Sequence, residues 1–457
     1  MKNSILFLLV LLCGLAACNK AGDAIINPPV NKVDTLATAI TADLILDANT
    51  DYVINGQVYV KNNASLTIPA GVTVSVVKED DRSNKGVLVI AKGSKLFVNG
   101  TVDKPVVFTS AATTKAPGDW GAIIILGKAP INVPGKTDHV AGIAITADTE
   151  FGGDLSDDNS GSINYLRVEY AGGINPENED EWALDKVSGF SLEGVGAGTK
   201  VDNVMVEHSN DDGFQFVGGT VNVTHLIAYN NGDDDFDFDH GYTGKLQFLI
   251  SYRTQLNSAH ALRANGMESY NDEVPTTNPP LTRPVISNMT IIGPQGGEAS
   301  KTNLNQGVYI RKGTRFFMQN SVIAEYPQGA LMLCPRTKPP VMTDAGSEFR
   351  YNLVHSDDPS RTFSYDNSST VNGDPELKAF ALNSVNNNKL FEALADLKLT
   401  NIYGANGPEL SPMAGSDAAT GSNFDGINFS TFFTQVPYRG AVGPENWAAA
   451  SNWAVWK

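Results

Sequence analysis

An all-β fold, a right-handed parallel β-helix, is what this 457-residue sequence predicts, and three observations predict it. Short apolar-alternating runs stand between Gly, Asn and Asp: Tyr52-Val53-Ile54, Leu66-Thr67-Ile68, Val72 to Val77, Gly86 to Ile90 and Pro105 to Phe108. The middle of the chain repeats. Val168-Glu169-Tyr170, Val206-Glu207-His208, Ile227-Ala228-Tyr229 and Ile250-Ser251-Tyr252 superpose at spacings of 38, 21 and 23. A second column holds Phe190-Ser191-Leu192, Phe214-Gln215-Phe216, Phe236-Asp237-Phe238 and Val308-Tyr309-Ile310. In most triplets two apolar residues straddle a middle one that is often polar, so two side chains point in and one out. A period in the low twenties with several strands per repeat is the signature of a solenoid. The Leu/Asn consensus of leucine-rich repeats is missing, and an antiparallel sandwich would place turn signals about every 8–12 residues.

The elements follow in chain order. Lys2, the apolar run Ile5 to Leu12, and Leu15-Ala16-Ala17-Cys18 read as a signal peptide over residues 1–17 that ends in a lipobox. The run is shorter than the roughly 20 residues a permanent span needs. Cys18 is then the lipidated first residue of the mature chain, and lipid chains partition into a bilayer at about 0.8 kcal/mol per buried CH₂. A membrane is thus the first expected partner, with the protein lipid-anchored to the outer membrane on its periplasmic or cell-surface face. Residues 18–41, with Pro28-Pro29, read as a tether, and 42–375 as the β-helix with loop insertions. Residues 376–457 read as a short helical decoration around Lys389 to Leu394, followed by a cap rich in Trp447, Trp453 and Trp456. With Cys13 lost and Cys18 modified, Cys334 stands alone and no internal disulfide forms.

The entry coil Leu66-Thr67-Ile68-Pro69-Ala70-Gly71-Val72 resembles that of secreted and lipid-anchored β-helix proteins of Bacteroidota, a largely uncharacterised family with a pectin-lyase-like fold. Similar too are Val98-Asn99-Gly100-Thr101 leading to Pro105 to Ser110, Gly118-Asp119-Trp120-Gly121 followed by Ile123 to Gly127, and the Tyr438-Arg439-Gly440-Ala441 tail. The resemblance covers most of the chain from about residue 45. It implies fold and location and brings no catalytic signature.

Charged residues are only 18% of the chain, against about 25% in typical soluble domains. The net charge of −17 argues against a nucleic-acid partner, since phosphate binding needs a clustered basic face. It does not exclude cations, or sugars held at a cation. The acids concentrate in Asn210-Asp211-Asp212-Gly213 and Gly232-Asp233-Asp234-Asp235, with Asp237, Asp239 and His240 following. In a parallel coil these turns stack about 4.8 Å apart. Carboxylates that close either bind a cation or take up protons, and hard oxygens on turns suit Ca²⁺. The candidate metal ligands are therefore Asp211, Asp212, Asp233, Asp234 and Asp235. The alternative is that these residues cap turns through side-chain-to-backbone hydrogen bonds.

One outward column aligns as Glu193, Val217, Asp239, Arg263 and Arg311, with His260 and Tyr309 nearby. β-helix polysaccharide lyases pair a cation with an Arg or Lys base, so Asp239, Arg263 and Arg311 are the weak catalytic candidates. A solvated salt ladder is the plainer reading. Polygalacturonase-like enzymes carry three aspartates, a Gly-His-Gly turn and an Arg-Ile-Lys strand. Here Asp239-His240-Gly241 half matches the turn and Ile310-Arg311-Lys312 permutes the strand. Two acidic insertions, Asp154 to Asn159 and Glu177 to Trp182, read as loops, and Trp182 and Tyr309 are candidate glycan-contacting rings. Three functions remain open: a non-enzymatic ligand-binding or uptake-accessory lipoprotein serving a glycan or an outer-membrane transport partner, a Ca²⁺-dependent lyase or glycoside hydrolase, and a structural or adhesive surface protein.

Overall fold

The computed structural model describes residues 32–456 except 79–84, 174–186, 255–263, 273–276, 296–305, 344–345, 357, 367–370 and 427–430. The signal peptide, Cys18, Trp182, His260 and Arg263 lie outside the described residues.

Successive coils add one strand to a narrow sheet of 12 strands and one longer strand, or a pair of short ones, to a wide sheet of 17. Between coils the pairing in both is parallel, as in Phe190–Glu193 on Phe214–Val217 on Phe236–Asp239. The long strands of the wide sheet bend midway. Tyr165, Asn203, His225, Phe248 and Asn288 sit at φ of 50, 54, 52, 61 and 55°, stacked coil on coil. This left-handed geometry costs a non-glycine residue about 1 kcal/mol or more. It splits each strand into two legs, so a coil has three flat sides: a right-handed parallel β-helix.

The interior stacks like on like. Phe190, Phe214 and Phe236 form one ladder with ring centroids 6.1 and 5.1 Å apart, and Phe216 lies 4.9 Å from Phe238. The second column of triplets is therefore in true register. The first needs a correction of one residue: Val206 pairs with Ala228, not Ile227, and Val168 pairs with Val206. Ile227 and Ala228 are both fully buried, Ala228 in the core and Ile227 in a separate cluster outside it. Apolarity therefore carried no information about which of the two points inward.

That outer cluster explains the aromatic tail, which runs back along the flank of the helix. Gly440 N donates to Asn320 O (2.7 Å), Thr434 N to Gln247 Oε1 (2.8 Å), and Asn452 Nδ2 to Asp103 O (2.9 Å). Trp456 packs on Tyr229 and Tyr252, and Trp453 on Tyr165. The end of the core is closed by the helix Pro375–Ala381, N-capped by Asp374, which buries Leu377 and Ala381. Lys389–Leu390, expected as helix, is instead a strand on Leu353–Val354. At the other end Lys32–Thr35, within the expected tether, already pairs with Thr50–Val53.

Candidate functional site

The acidic turns lie where the last leg of the wide sheet passes into the narrow sheet. Residues 208–213 and 230–235 make this passage on two consecutive coils, and the next coil supplies Asn265 and the strand Met267–Ser269. The turns are held as a ladder. Asp233 N donates to Asp211 O (3.3 Å), Asp234 N to Asp212 Oδ1 (3.0 Å), and Asn265 N to Asp234 Oδ1 (2.7 Å). Asn231 bonds upward to Ser209 N and sideways to Asp235 Oδ1. Gly213 is required by space. A Cβ there would sit 2.5 Å from Asn231 Nδ2 and 2.8 Å from Asp235 O. Turn capping is thus part of what these acids do, one coil's carboxylate receiving the next coil's N–H.

Besides capping, carboxylate oxygens of these turns converge. Asp211, Asp212 and Asp233 each bring a carboxylate oxygen within 4.8 Å of the others, and so do Asp234, Asp237 and Glu268. Two oxygens bound to one Ca²⁺ at about 2.3–2.6 Å lie at most about 5 Å apart, so either spacing fits this ion. The second group is the more telling. Asp237, Glu268 and Asp234 are all buried, and Asp237 Oδ1 has no hydrogen-bond partner among the described residues. A buried acceptor left unpaired costs about 1–3 kcal/mol, more when charged. Burial, followed by repulsion from Asp239, Asp212 and Glu268, pushes the Asp237 carboxyl well above its usual range. Burial and Glu268 do the same to Asp234. Repulsion of this kind is relieved either by protons or by a bound cation.

Asp235 joins neither group. It is turned into the fold, where Ser251 Oγ donates to its Oδ2 (2.5 Å) and Arg253 Nε lies 3.1 Å from the same oxygen. Arg253 is fully buried, and its guanidinium also donates to the carbonyls of Asn231 (2.6 Å), Asn265 (3.1 Å) and Asp233. One cation thus fixes the backbone before Asp234 and the Asp235 side chain after it, and ties the turn to the following coil.

The outward column takes a different course from the one aligned in sequence. Asp237 pairs with Glu268, which pairs with Tyr309. Two residues on, the same register sets Asp239 beside Tyr270 and Tyr270 beside Arg311. Tyr270 Oη donates to Asp239 Oδ2 (2.9 Å), whose Oδ1 lies 3.2 Å from His240 Nδ1. The 31-residue step from Asp234 to its partner Asn265 displaced the alignment. Arg311 Nη1 donates to both oxygens of Glu268 (3.0 and 3.2 Å), and its guanidinium stands 5.2 Å from the Tyr309 ring centroid. Burial works against its charge, but Glu268 and Tyr309 hold it firmly protonated. Tyr309 is buried and donates to Asp366 Oδ2 (2.5 Å), so its ring is no open platform.

Glu268, Asp237 and Arg253 are the participants that sequence reasoning left out of the ligand set and its support. Met267-Glu268-Ser269 has the in–out–in form of Phe236-Asp237-Phe238, and extending that column across the insertion would have found Glu268. Arg253 follows Tyr252 where the preceding coil has Asn230, a break in the column that signals an altered role.

A family model described as a pectate-lyase like beta helix domain matches residues 38–387. No curated protein and no solved structure gives a significant match.

Proposed function

This chain belongs to the pectate-lyase-like β-helix family, and from that premise we propose that it is a non-catalytic, ligand-binding lipoprotein of the cell envelope with a divalent-cation site in its stacked acidic turns. The observation that carries the reading is the buried group Asp234, Asp237 and Glu268, with Asp237 Oδ1 unpaired. Ca²⁺ suits an all-oxygen donor set of this kind, and Asp211, Asp212 and Asp233 form a second set one coil away. Binding there rests on this chain's own carboxylates. Asp234 is held in place by Asn265, and Glu268 is oriented by Arg311. The lipid anchor at Cys18 and the outer-membrane location rest on the lipobox in the sequence.

Arg311 favours binding over turnover. A guanidinium doubly hydrogen-bonded to Glu268 and held protonated is not free to take a proton from a sugar carbon. The lyase reading draws on the family match and on the nearness of Arg311 to the acids. Unsaturated product from polygalacturonate, followed by ultraviolet absorbance in the presence of Ca²⁺, would establish it and displace the binding reading.

The test is thermal melting with and without CaCl₂ after treatment with a chelator. A cation at a hundred times its Kd adds about 2.7 kcal/mol, which raises Tm by about 3 °C in a chain of this size. Asp237→Asn should melt higher than the parent without cation, since it removes one of several crowded buried carboxyls that repel one another, and should lose the Ca²⁺ shift. A parent Tm indifferent to both chelator and Ca²⁺ would sink the proposal.

A further inference from the structure

The two ends of the solenoid differ. The helix Pro375–Ala381 closes one of them, whereas the first coil ends in bare strand. Among the described residues, Lys32–Thr35, Ala39–Ile40 and Leu44–Ile45 pair on one side only, against residues 50–53, 59–60 and 66–67 of the next coil. The core residues Leu36, Ile40 and Leu46 of this coil are buried, but Leu44, stacked on core Leu66, is 36% exposed. Val33 is 62% exposed and Ile45 74%. Three of the eight large apolar side chains that stand exposed among the described residues thus lie on one coil, unlike the single scattered residues ordinary on a surface. An end of this kind calls for a cover, because unpaired strand edges template further pairing.

The strand Lys32–Thr35 has one residue to offer a neighbour. Leu36 N donates to Val53 O (2.9 Å), and backbone direction alternates along a strand. Lys32 and Asp34 therefore aim their backbone groups at the 50–53 strand, and Val33 and Thr35 aim theirs away from it. The Thr35 N–H is taken by Asp34 Oδ1 (2.9 Å), which leaves Val33 with both of its groups on the open edge. Natural edges are commonly blunted by lysines, proline or inward-pointing charges. This one carries one charge of each sign, Lys32 and Asp34, which pair with each other at 3.3 Å while both side chains are more than half exposed. Opposite charges two residues apart attract a strand of the same sequence running the other way.

We infer that this edge is a self-association surface, on which a second copy of the chain stacks head to head about a two-fold axis at Val33. Antiparallel pairing centred there lets Val33 N–H donate to the C=O of its own copy, and the reverse. The flanking positions then lie directly opposite each other. Lys32 meets Asp34 of the second copy, and the symmetry repeats that contact, as an isologous interface requires. Residues opposed in this way approach to about 4.5 Å between Cα atoms, close enough for an ion pair. The first coil of the second copy also covers Leu44 at the open end of the core. This surface shares no residue with the acidic cluster and does not depend on a cation.

Sedimentation velocity of the purified full chain tests the inference, in a Cys18→Ser background so that no lipid drives association. The parent should pass from monomer to dimer as its concentration rises. Lys32→Glu makes the charges of the edge strand wholly acidic and Asp34→Lys makes them wholly basic. Each should weaken self-association at least about tenfold, which is about 1.4 kcal/mol. Mixed together, the two variants should dimerise with each other, since every charge then meets its opposite. Pairing within one chain cannot give that result. Val33→Cys should cross-link into a dimer on oxidation where the parent does not, its two Cα atoms lying about 5.5 Å apart. A parent that stays monomeric at every concentration would overturn the assignment and leave the edge to residues 19–31 or to another protein. A dimer indifferent to both charge variants, or a mixture that remains monomeric, would equally overturn it.

Discussion

Replacing Arg253 by methionine perturbs the support of the cation site without touching a proposed ligand. The side chain is fully buried and holds Asp235 by an ion pair of 3.1 Å in which neither partner is exposed. Removing one member of a buried pair costs about 3–5 kcal/mol, because the other charge is left uncompensated. Here three carbonyls, of Asn231, Asp233 and Asn265, lose their donor at the same time. Each deserted acceptor adds a cost of its own, which places the total at the upper end, about 5 kcal/mol. With roughly 2.1 cal/mol/K of unfolding entropy per residue in a chain of this size, Tm falls by about 6 °C. The damage is also local. The turn carrying Asp234 is fixed at Asp233 and Asp235 through this guanidinium, so the Ca²⁺-induced shift in Tm should shrink by at least about half. Scanning calorimetry with and without Ca²⁺ measures both quantities. Arg253→Lys should recover less than half of the loss, because one ammonium cannot reach four acceptors. Pairing Arg253→Met with Asp235→Asn should recover more, since it removes the stranded charge. A methionine variant that melts within about 1 °C of the parent would refute the brace argument.

Three further outcomes follow from the same geometry. Burial, then the charge on Asp239, pushes the Glu193 carboxyl up to about 8 from its usual 4.5, against the Ser191 hydroxyl that donates to it. The folded state therefore keeps a proton that the unfolded state releases, and this contribution is complete below about 4.5 and lost as pH rises through about 8. Melting the parent and Glu193→Gln at about pH 5 and about pH 8 should show the variant gaining on the parent at the higher pH; an equal gap at both would contradict the assignment. Trp456→Ala removes the ring packed on Tyr229 and Tyr252 and should cost about 3 kcal/mol, read as earlier proteolytic clipping of the tail, and an unchanged digestion pattern would count against the tail as a flank cover. Gly213→Ala should destabilise the first acidic turn, since its Cβ would meet Asp235 O at 2.8 Å; an unchanged Tm would show that the two turns are not in tight contact.

How far the sequence reached is seen best in particular columns. Phe190, Phe214 and Phe236 were aligned correctly because their neighbours Ser191, Gln215 and Asp237 are polar and mark the outward direction. The wide-sheet column slipped by a residue at Ile227 and Ala228 because the tail makes the outer flank as apolar as the core. Asp211, Asp212, Asp233 and Asp234 were legible as a cluster, since consecutive turns of a solenoid stack. Asp235 was not separable from them, because nothing in a run of three aspartates says which one faces a buried arginine 18 residues later.

By itself, then, the sequence determined the repeat, the parallel coil and the place where acid accumulates. Those properties follow from local alternation and from a period that persists through the middle of the chain. Only the tertiary structure decided which oxygens meet: Glu268 comes in across an insertion, Asp235 turns inward to Arg253, Asp237 Oδ1 is left without a donor among the described residues, and Arg311 is tied to Glu268. Register between coils is fixed by the packing of both faces of each strand, and an insertion of any length leaves that packing intact while erasing its spacing from the chain.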